Sequence, residues 1–475
     1  METDSAAVGS PVFFNSKMTL IDVYHRLPYP LRVLAASARG YALRWWRYGP
    51  ETEQLVQAAL ERETWSAEKL NAYQQERLAH MLHHAAREVP FYQNEWNQRR
   101  KKGDHSAWDL LENWPVLKKA SVRDHPRAFL SDRFRQQRLF EEHTSGTTGT
   151  PLTIWQDRTA LIEWYALFEA RWRRWNGVHR NTRWAILGGQ VVSPINASRP
   201  PYWVWNQAFH QLYLSSYHLN IRTVSDYLNA MDRYQVEYLY GYPSMMENLA
   251  GLAHEAGLTA PVLKVAISNA EPLFDHQVSQ ISRVFHCPVR NTYGLSELVC
   301  GASECSAGAL HLWPEAGLVE VLADEADTPV TSGQTGRLIA TGCINPAMPL
   351  IRYEAGDRGS LGKLPCACGR CLPVLAAVEG RMDDVITTPD GRRIGRLDPV
   401  FKADMPIREA QIIQETSNCI TVKYVAAPGL QQKHLNDLQN RLMDRLGAMQ
   451  IALTEVESIP RGPNGKFRAV ISKIH

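Results

Sequence analysis

The hydrophobic and polar positions of this chain change their spacing several times along its length. Apolar residues recur at helical intervals through LNAYQQERLAHMLHHAAREV, which predicts an amphipathic helix ending at Pro90. From about residue 222, helical stretches such as SMMENLAGLAHEAG alternate with the short apolar runs VEYLYG and VLKVAIS. Alternation at this pitch is typical of βαβ units, so the pattern predicts a parallel sheet with helices packed on it.

The pattern changes again toward the end of the chain. After residue 315, runs such as TGRLIATG predict a β-rich region, and near residue 380 the charged stretch GRMDDVITTPDGRRIG marks a domain boundary. We therefore predict an α/β protein whose large N-terminal domain has parallel-type sheets and a β-rich subdomain, followed by a small α+β C-terminal domain. The predicted limits are an N-terminal helical segment at 1–70, the large domain at 71–380, its β-rich subdomain at about 300–380, and the small domain at 381–475.

The composition restricts the class of function. Hydrophobic residues make up 44% of the 475 residues and charged residues 21%, as in ordinary soluble globular proteins. The formal net charge of +3 is small for this length and gives no support to a nucleic-acid partner. Because the sequence has neither an apolar run of about 20 residues nor a secretory signal, we expect a cytoplasmic location.

The segment PLRVLAASARGYALRWWRYG combines four arginines with a tryptophan pair, Trp45 and Trp46. A basic aromatic helix of this kind can pack against the protein body, which is the preferred interpretation. The alternative is peripheral contact with a membrane surface.

Three polar motifs follow predicted strands of the parallel sheet, and ligands normally bind at the carboxyl ends of such strands. They are Gly241-Tyr242-Pro243-Ser244, Asn269-Ala270-Glu271-Pro272 and Tyr293-Gly294-Leu295-Ser296-Glu297. A fourth motif, Thr144-Ser145-Gly146-Thr147-Thr148-Gly149-Thr150, is rich in glycine and hydroxyl groups. Such a stretch can bind phosphate through N–H and O–H donors, or it can be a flexible surface loop.

Taken together, five motifs resemble the core motifs of adenylate-forming ligases, in the branch of the phenylacetate-CoA ligases and CapK-like proteins. They are HTSGTTGTPL, TYGLSE, RYEAGDRG, GRMDDVI and PRGPNGKFR, in that order. The segments VPFYQNEW, WPVLKKASVRDHP and SNAEPL are also similar, so the resemblance spans roughly residues 70–475. It implies that the small C-terminal domain is mobile, with Asp383 or Asp384 at its hinge.

The resemblance implies that ATP and Mg²⁺ activate a carboxylic acid as an acyl adenylate. The main obstacle is repulsion between the carboxylate and the triphosphate, so the site must supply cations and aligned donors. Ser145, Gly146, Thr147, Thr148 and Gly149 would hold the departing phosphates, Ser296 the α-phosphate and Glu297 the Mg²⁺ ion. Tyr293, Gly294 and Glu271 would contribute to the nucleotide site, Asp357 would bind the ribose with Arg381 nearby, and Lys466 would bridge the carboxylate and the α-phosphate.

The sequence does not decide which acceptor receives the acyl group. CoA is the commonest acceptor in the resembling family, but TTPDGRRIGRLDPVF after GRMDDVI is closer to the CapK-like proteins, so transfer to an amine is an alternative. Many relatives also carry a lysine where this chain has Thr150. A catalytically silent scaffold is a further alternative, which the joint presence of Lys466, Glu297 and Asp357 disfavours. An aromatic acid is the preferred substrate class, on the basis of Tyr242 and the segment PYWVWNQAF.

Eight cysteines in a cytoplasmic chain are expected to be thiols or metal ligands. Cys366 and Cys368 lie in CACGRC, and Cys305 and His311 lie in ECSAGALH. Three thiolates and an imidazole can form a closed tetrahedral Zn²⁺ site of structural type. We predict these four as the ligands, with Cys371 as a substitute. The alternative is a cluster of reduced thiols on a turn.

Overall fold

The computed structural model describes residues 20–143, 152–194, 196–362, 365–381, 386–389, 393–394, 397, 400, 405–447, 449–461 and 467–474. The α-helices in this part of the chain are α1 (Leu20–Arg26), α2 (Tyr29–Arg47), α3 (Thr52–Arg62), α4 (Ala67–Glu88), α5 (Pro90–Lys101), α6 (Lys119–Asp124), α7 (Arg158–Phe168), α8 (Val224–Arg233), α9 (Pro243–Glu255), α10 (Asp275–Phe285) and α11 (Gln432–Leu446). The predicted amphipathic helix is α4, which starts at the N-cap Ser66 and ends before Pro90.

A six-stranded sheet forms the centre of the large domain. Its strands are β3 (Trp184–Gly188), β4 (Trp203–Asn206), β5 (Gln211–Ser215), β6 (Tyr238–Gly241), β7 (Val265–Ser268) and β8 (Val289–Arg290), in the order β4-β5-β3-β6-β7-β8. All pairs are parallel except β4 with β5. Strands β6 and β7 are buried along their whole length, which explains their continuous apolar runs. The α/β fold class is therefore confirmed.

A seven-stranded antiparallel sheet forms the β-rich region. It contains β9 (Thr292–Gly294), β10 (Gly301–Glu304), β11 (Leu310–Leu312), β12 (Gly317–Leu322), β13 (Gly336–Gly342), β14 (Tyr353–Leu361) and β15 (Val374–Arg381), in the order β12-β13-β14-β15-β11-β10-β9. Between β8 and β9 the chain leaves the parallel sheet and enters this one. The TYGLSE motif therefore lies where the two sheets meet.

Three smaller sheets complete the described fold. Strands β1 (Phe140–His143) and β2 (Thr153–Gln156) form an antiparallel pair, as do β16 (Ile386–Thr387) and β17 (Arg393–Ile394). Near the C-terminus, β18 (Ile407–Thr416), β19 (Cys419–Ala426), β20 (Gln450–Glu455) and β21 (Val470–Ser472) form a sheet in the order β20-β19-β18-β21. This last sheet packs with α11 around its own apolar core, which includes Ile412, Val422 and Leu438.

Helix α2 packs against the body of the protein. Three of its four arginines point inward: Arg32 donates to Ser193 Oγ at 3.1 Å, Arg44 donates to the Ala208 carbonyl at 2.6 Å, and Arg47 stacks on the Tyr165 ring. The opposite side of the helix exposes the apolar side chains Leu31, Leu34, Tyr41 and Trp45. In the described part of the chain, no helix combines the length and the apolarity needed to cross a bilayer.

A buried ion network joins α3 to the antiparallel sheet. Glu315, fully buried, receives two hydrogen bonds from Arg171 at 2.7 and 2.9 Å and one from Arg62 at 3.0 Å. Arg171 lies in the π-helical turn Glu169–Arg173 that continues α7. The wider turn brings Arg171 and Arg173 into the interior together.

Candidate active site

The three strand-end motifs converge at the edge where β6 and β7 end. Gly241 and Ser268 are partners in this parallel pair, and the Asn269 N–H donates to the Gly241 carbonyl at 2.9 Å. Thr292, which starts β9, donates its hydroxyl to the Ser268 carbonyl at 2.5 Å. A Cβ on Gly241 would lie 2.2 Å from the Leu187 carbonyl oxygen, so only glycine permits this close strand approach.

The backbone is strained next to these motifs. Ala270, Leu298 and Arg352 have φ angles of 66°, 57° and 46°, in the left-handed region that non-glycine residues rarely adopt. Ala270 precedes Glu271, Leu298 follows Glu297, and Arg352 precedes Tyr353. Strain of this kind persists where surrounding contacts hold it, and it is concentrated at functional sites.

Tyr293 and Asp357 form a pair that connects the β9 and β14 motifs. The Tyr293 hydroxyl donates to Asp357 Oδ2 at 2.8 Å. Burial and the adjacent Asp357 carboxylate hold the pKa of Tyr293 well above its ordinary value, so the phenol stays protonated and acts as a donor. Asp357 is also the register partner of Arg381 on β15. The structure thus brings together Tyr293, Asp357 and Arg381, three of the five residues predicted for the nucleotide and its ribose, although the Arg381 side chain is not described.

Glu297 is a buried carboxylate with two partners that the sequence analysis missed. Its Oε1 accepts the Tyr353 hydroxyl at 2.9 Å and the Lys119 ammonium at 3.4 Å. Among the described residues both contacts are made to Oε1. Both partners lie in motif segments, WPVLKKASV and RYEAGDRG, but no regularity of spacing connects either of them with Glu297.

A cavity of about 220 Å³ opens beside Gly294 and Ser296. Seven aromatic side chains contribute to its walls: Trp46, Phe140, Trp164, Tyr165, Phe168, Trp172 and Tyr240. The polar side chains at its surface include Arg47, Glu142, Gln156 and Asn269, and Gln156 is held by a 2.9 Å hydrogen bond to the Ser296 carbonyl. These aromatic side chains come from α2, β1, α7, the π-helical turn that follows α7, and β6. Tyr242 and the segment PYWVWNQAF do not line this cavity.

The predicted phosphate-binding loop starts and ends at the β1–β2 pair. His143 and Thr153 face each other in this pair, and Phe140, Glu142 and Gln156 on the same two strands line the cavity. Ser145, Gly146, Thr147, Thr148 and Gly149 themselves lie outside the described residues, as do Lys466, Asp383 and Asp384.

Glu271 lies between the large domain and the C-terminal segment. Its Oε2 accepts the backbone N–H of Ser244 at 3.3 Å, and its Oε1 accepts the backbone N–H of Phe467 at 2.7 Å. Burial raises the pKa of Glu271, while these N–H donors and Arg461 act in the opposite direction. Among the described residues, the hydrogen-bond donors to Glu271 are backbone N–H groups of α9 and of the C-terminal segment.

The four predicted metal ligands form one compact group. The ligand atoms of Cys305, His311, Cys366 and Cys368 all lie within 4.8 Å of one another, and Cys371 is not a member of the group. His311 Nδ1 lies 3.0 Å from the Leu372 carbonyl, so Nδ1 carries the proton and the Nε2 lone pair points at Cys368 Sγ, 3.3 Å away. Zinc–sulfur bonds of about 2.3 Å in a tetrahedron separate the sulfurs by roughly 3.8 Å. The Cys305–Cys366 separation of 3.9 Å fits this geometry.

The family model of the AMP-binding enzymes matches residues 66–345, more than half of the 475 residues. The chain belongs to the AMP-binding enzyme family. A second model, the CapK C-terminal domain, matches residues 386–473.

Two relatives place this AMP-binding enzyme within the family. It is 22% identical to the protein CapK of Staphylococcus aureus over 462 residues, which cover 95% of this chain and 99% of CapK. It is 27% identical to the phenylacetate-coenzyme A ligase of Thermus thermophilus over 350 residues, 69% of this chain and 73% of that ligase. The resemblance to adenylate-forming ligases of the phenylacetate-CoA ligase and CapK-like branch is confirmed.

A solved structure of 2-hydroxyisobutyryl-CoA ligase has the same fold as this AMP-binding enzyme. In its postadenylation state, in complex with R3-HIB-AMP, it gives a TM-score of 0.66 at 18% identity, covering 87% of this chain and 91% of that one. In its thioesterification state, in complex with 2-HIB-AMP and CoA, it gives a TM-score of 0.51 at 20% identity, covering 86% and 91%. The present arrangement therefore superposes better on the postadenylation state.

Proposed function

We propose that this AMP-forming ligase activates a small carboxylic acid with ATP and transfers the acyl group to a thiol such as CoA. In the first step the acid carboxylate attacks the α-phosphorus, and the bond to the departing pyrophosphate breaks. In the second step the thiol sulfur attacks the acyl carbonyl, loses its proton and displaces AMP. The observation that carries this proposal is the arrangement of the TYGLSE motif: Gly294 and Ser296 line the cavity, and Tyr293 donates to Asp357. Glu297, the next residue after Ser296, is a buried carboxylate.

The triphosphate would occupy the edge formed by the β1–β2 loop and the TYGLSE motif. Glu297 would hold Mg²⁺ through Oε2, and the charge of that ion would offset the phosphate oxygens. Ser296 would donate to the α-phosphate. Ser145, Gly146, Thr147, Thr148 and Gly149 would bind the departing phosphates, and Lys466 would stabilise the charge that develops between the carboxylate and the α-phosphate.

The nucleoside would bind beside the Tyr293–Asp357 pair. A carboxylate has two oxygens and suits a vicinal diol, so Asp357 would accept hydrogen bonds from both ribose hydroxyls. Tyr293 holds the carboxylate in place at 2.8 Å, and Arg381 is the register partner of Asp357. Gly294 lines the cavity without a side chain that would obstruct it.

An aromatic acid is the substrate class that the cavity favours. Seven aromatic side chains line it, and ring stacking and apolar contact both stabilise an aromatic ligand. Arg47 and Glu142 add charge to the same cavity, and burial raises the pKa of Glu142. These two side chains favour an acid that also carries a polar group away from its carboxylate. The match to a phenylacetate-coenzyme A ligase supports the aromatic class.

The reaction class is tested by pyrophosphate exchange into ATP with a panel of acids. The panel should contain plain aromatic acids and aromatic acids with a second polar group, each assayed for AMP release with and without CoA and with an amine. We expect exchange with at least one acid and CoA-dependent AMP release. Exchange with an amine-dependent product would favour amide formation, and the absence of exchange with every acid would favour a silent scaffold.

Lys466→Ala is the decisive variant for adenylation. Removing the ammonium group should lower AMP production by about 100-fold or more, because the proposed mechanism assigns the stabilisation of the developing charge to Lys466. Lys264→Ala is the matched control, since Lys264 forms an exposed pair with Glu237 on the surface. Undiminished AMP production by the Lys466 variant would overturn the mechanism.

The Cys305, His311, Cys366 and Cys368 group would hold a structural Zn²⁺ that fixes the β10–β11 turn to the loop before β15. We expect about one zinc per chain by elemental analysis and a lower melting temperature after chelation. Cys368→Ser should lose the metal, whereas the matched variant Cys371→Ser should retain it. A folded protein without stoichiometric zinc would refute the site.

We propose a cytoplasmic location. The alternative is that the exposed side of α2 contacts a membrane. The inward orientation of Arg32, Arg44 and Arg47 reduces the positive charge that anionic lipids would meet. If deletion of α2 leaves the binding of the protein to liposomes unchanged, α2 is not a membrane-binding helix.

A further inference from the structure

Helix α2 supplies one wall of the cavity beside Gly294 and Ser296. Leu43, Trp46 and Arg47 line this cavity, and their spacing of three and four positions places them on one face of the helix. The match to the AMP-binding enzymes begins at residue 66, so α2 precedes it. The family match therefore does not account for this wall of the cavity.

Direct contacts join α2 to a second wall of the same cavity. Arg158 Nε donates to the Trp45 carbonyl at 2.9 Å, and its guanidinium lies over the Trp45 ring at 4.4 Å from the centroid. Arg158 is the first residue of α7, which contributes aromatic side chains to the cavity. On the other side of α2, the Gln207 N–H donates to Ser37 Oγ at 3.1 Å. These contacts fix the position of the helix that carries Arg47.

Arg47 presents a guanidinium group to the cavity. The guanidinium stacks on the Tyr165 ring at 4.4 Å and on the Phe209 ring at 5.5 Å from the centroids. Stacking uses the flat face of a guanidinium group, whereas its N–H donors point outward in the plane. Within the described part of the chain, no residue accepts a hydrogen bond from Arg47 or forms an ion pair with it.

Glu142 brings the opposite charge to this cavity. It lies on β1, is half-buried and lines the cavity together with Arg47. Burial raises the pKa of its carboxyl group, while the attraction of Arg47 and, more weakly, of His143 and Arg39 acts in the opposite direction. Arg47 and Glu142 thus interact electrostatically, yet among the described contacts they share no ion pair or hydrogen bond. The cavity therefore carries a donor and an acceptor that are separated from each other.

A separated cation and carboxylate favour a neutral group that both accepts and donates. A hydroxyl oxygen accepts from Arg47 while its hydrogen is donated to Glu142, and neither bond opposes a charge. A second carboxylate would meet the like charge of Glu142, and an aromatic amine would be a poor acceptor for Arg47. An unsubstituted ring would remove water from both charged groups and replace none of its hydrogen bonds.

We propose that α2 is a specificity element of the acid site, and that Arg47 and Glu142 select an aromatic acid with a hydroxyl group away from its carboxylate. The inference rests on the proposed function and names the substrate within the proposed aromatic class. Arg47 would donate to the hydroxyl oxygen, Glu142 would accept a hydrogen bond from the hydroxyl group, and Leu43 and Trp46 would contact the ring. The two charged side chains would determine which acid is used.

The test compares pyrophosphate exchange with matched ring-substituted acids. The series contains benzoic and phenylacetic acids that are unsubstituted or carry one hydroxyl, amino or second carboxyl group at each ring position. We expect the best hydroxy acid to exceed its unsubstituted parent in kcat/KM by about 10-fold or more, because a site built for a hydroxyl group rejects the analogue that lacks it. A preference for the parent acid, the amine or the second carboxylate would overturn the inference.

Arg47→Met separates recognition from packing, because methionine keeps an apolar side chain beside Tyr165. The variant should lower kcat/KM for the best hydroxy acid by roughly 10- to 100-fold and leave that for the parent acid within about threefold of wild type. Glu142→Gln should have a smaller effect, since it keeps one acceptor oxygen. Arg222→Ala, which removes an exposed arginine, is the matched control. Equal losses for both acids in Arg47→Met would assign Arg47 a structural role and overturn the inference.

Tryptophan fluorescence gives a readout that does not depend on catalysis. Trp46, Trp164 and Trp172 line the cavity, so binding of an acid should change their emission. The Kd of the tightest-binding hydroxy acid should be about 10-fold lower than that of its parent, and Arg47→Met should abolish this difference. Equal Kd values in the wild type would contradict the inference. If the wild-type protein showed no pyrophosphate exchange with any acid, the proposed function would fail, and this titration would still decide whether the cavity selects a hydroxyl group.

Discussion

Glu247 shows what burial does to a single carboxylate. It lies on α9, accepts a 3.0 Å hydrogen bond from Gln277, and retains 18% side-chain exposure. Burial raises its pKa from 4.5 to about 7, Gln277 and Arg461 act in the opposite direction, and Glu409 adds to the rise. The charges that face it from neighbouring elements are His276, Glu271, Glu409 and Arg461. At a pH between 4.5 and about 7, Glu247 therefore takes up a proton when the chain folds.

The sign of the pH effect follows from this shift. The folded pKa is raised, so the stability that protonation contributes is complete below pH 4.5 and is lost as the pH rises through about 7. The full effect is at most about 3 kcal/mol at one pKa unit per 1.36 kcal/mol. We expect wild-type stability to fall between pH 5 and 8 in urea unfolding and Glu247→Gln to reduce this slope. Equal slopes in the two proteins would contradict the prediction.

Single residues also show which contacts the sequence can predict and which it cannot. Cys305, His311, Cys366 and Cys368 were predicted from chemistry and short spacings, and their ligand atoms lie within 4.8 Å of one another. Lys119 and Tyr353 were missed as partners of Glu297, because the chain separates these residues by 178 and 56 positions. Short motifs carry their own chemistry, whereas the partners of a buried side chain depend on the fold.

At the scale of elements, the network around Glu315 attaches α3 and the π-helical turn after α7 to the antiparallel sheet. Arg171 and Arg62 neutralise Glu315, and Glu63 receives Arg370 at 2.8 Å. Removing one partner of a buried ion pair leaves the other charge without compensation. Glu315 is therefore the carboxylate that Arg62 of α3 and Arg171 of the π-helical turn share.

Glu315→Gln should destabilise the protein by about 3 to 5 kcal/mol and lower its melting temperature by several degrees. Burial opposes ionisation of Glu315, but Arg171 and Arg62 outweigh it and lower the pKa. The stability it contributes is therefore present above the unfolded value of 4.5 and lost as the pH falls through the lower folded value. Thermal unfolding at pH 7 and pH 3 should show a smaller difference between the variant and the wild type at pH 3.

The control is Glu237→Gln, because Glu237 is exposed and an exposed pair contributes about 1 kcal/mol or less. A variant of Glu315 that unfolds at the same temperature as this control would refute the role of the network.

The sequence located many elements well but could not assign every strand to a sheet. CPVRNTYG looks like one continuous strand, yet β8 joins the parallel sheet and β9 the antiparallel sheet. Apolar periodicity reports burial, and the first residue of each strand is buried in its own sheet. The hydrogen-bonded neighbour of a strand is a property of topology.

At the scale of the whole molecule, the two proposed half-reactions require two arrangements of the C-terminal domain. The family resemblance implies a hinge at Asp383 or Asp384, which lie outside the described residues. Proline fixes φ, so Asp383→Pro should restrict rotation. We expect pyrophosphate exchange to remain within about threefold of wild type and acyl transfer to CoA to fall by about 10-fold or more.

Single-turnover assays of pyrophosphate exchange and of acyl transfer check the prediction for Asp383→Pro. Asp383→Ala is the matched control, because it removes the carboxylate and leaves φ free. Equal loss of both activities in the proline variant would contradict a hinge at this position.

The sequence by itself determined the chemical class of this protein and most of its regular structure. The motifs, the βαβ alternation and the cysteine–histidine spacings are local properties, written within a few tens of residues. The tertiary structure alone decided which residues meet over long distances. Glu297 meets Lys119, Glu271 meets Phe467, and α2 lines the cavity beside Gly294 and Ser296. The physical reason is that periodicity and turn chemistry act along the chain, whereas burial and electrostatic pairing act through space after folding.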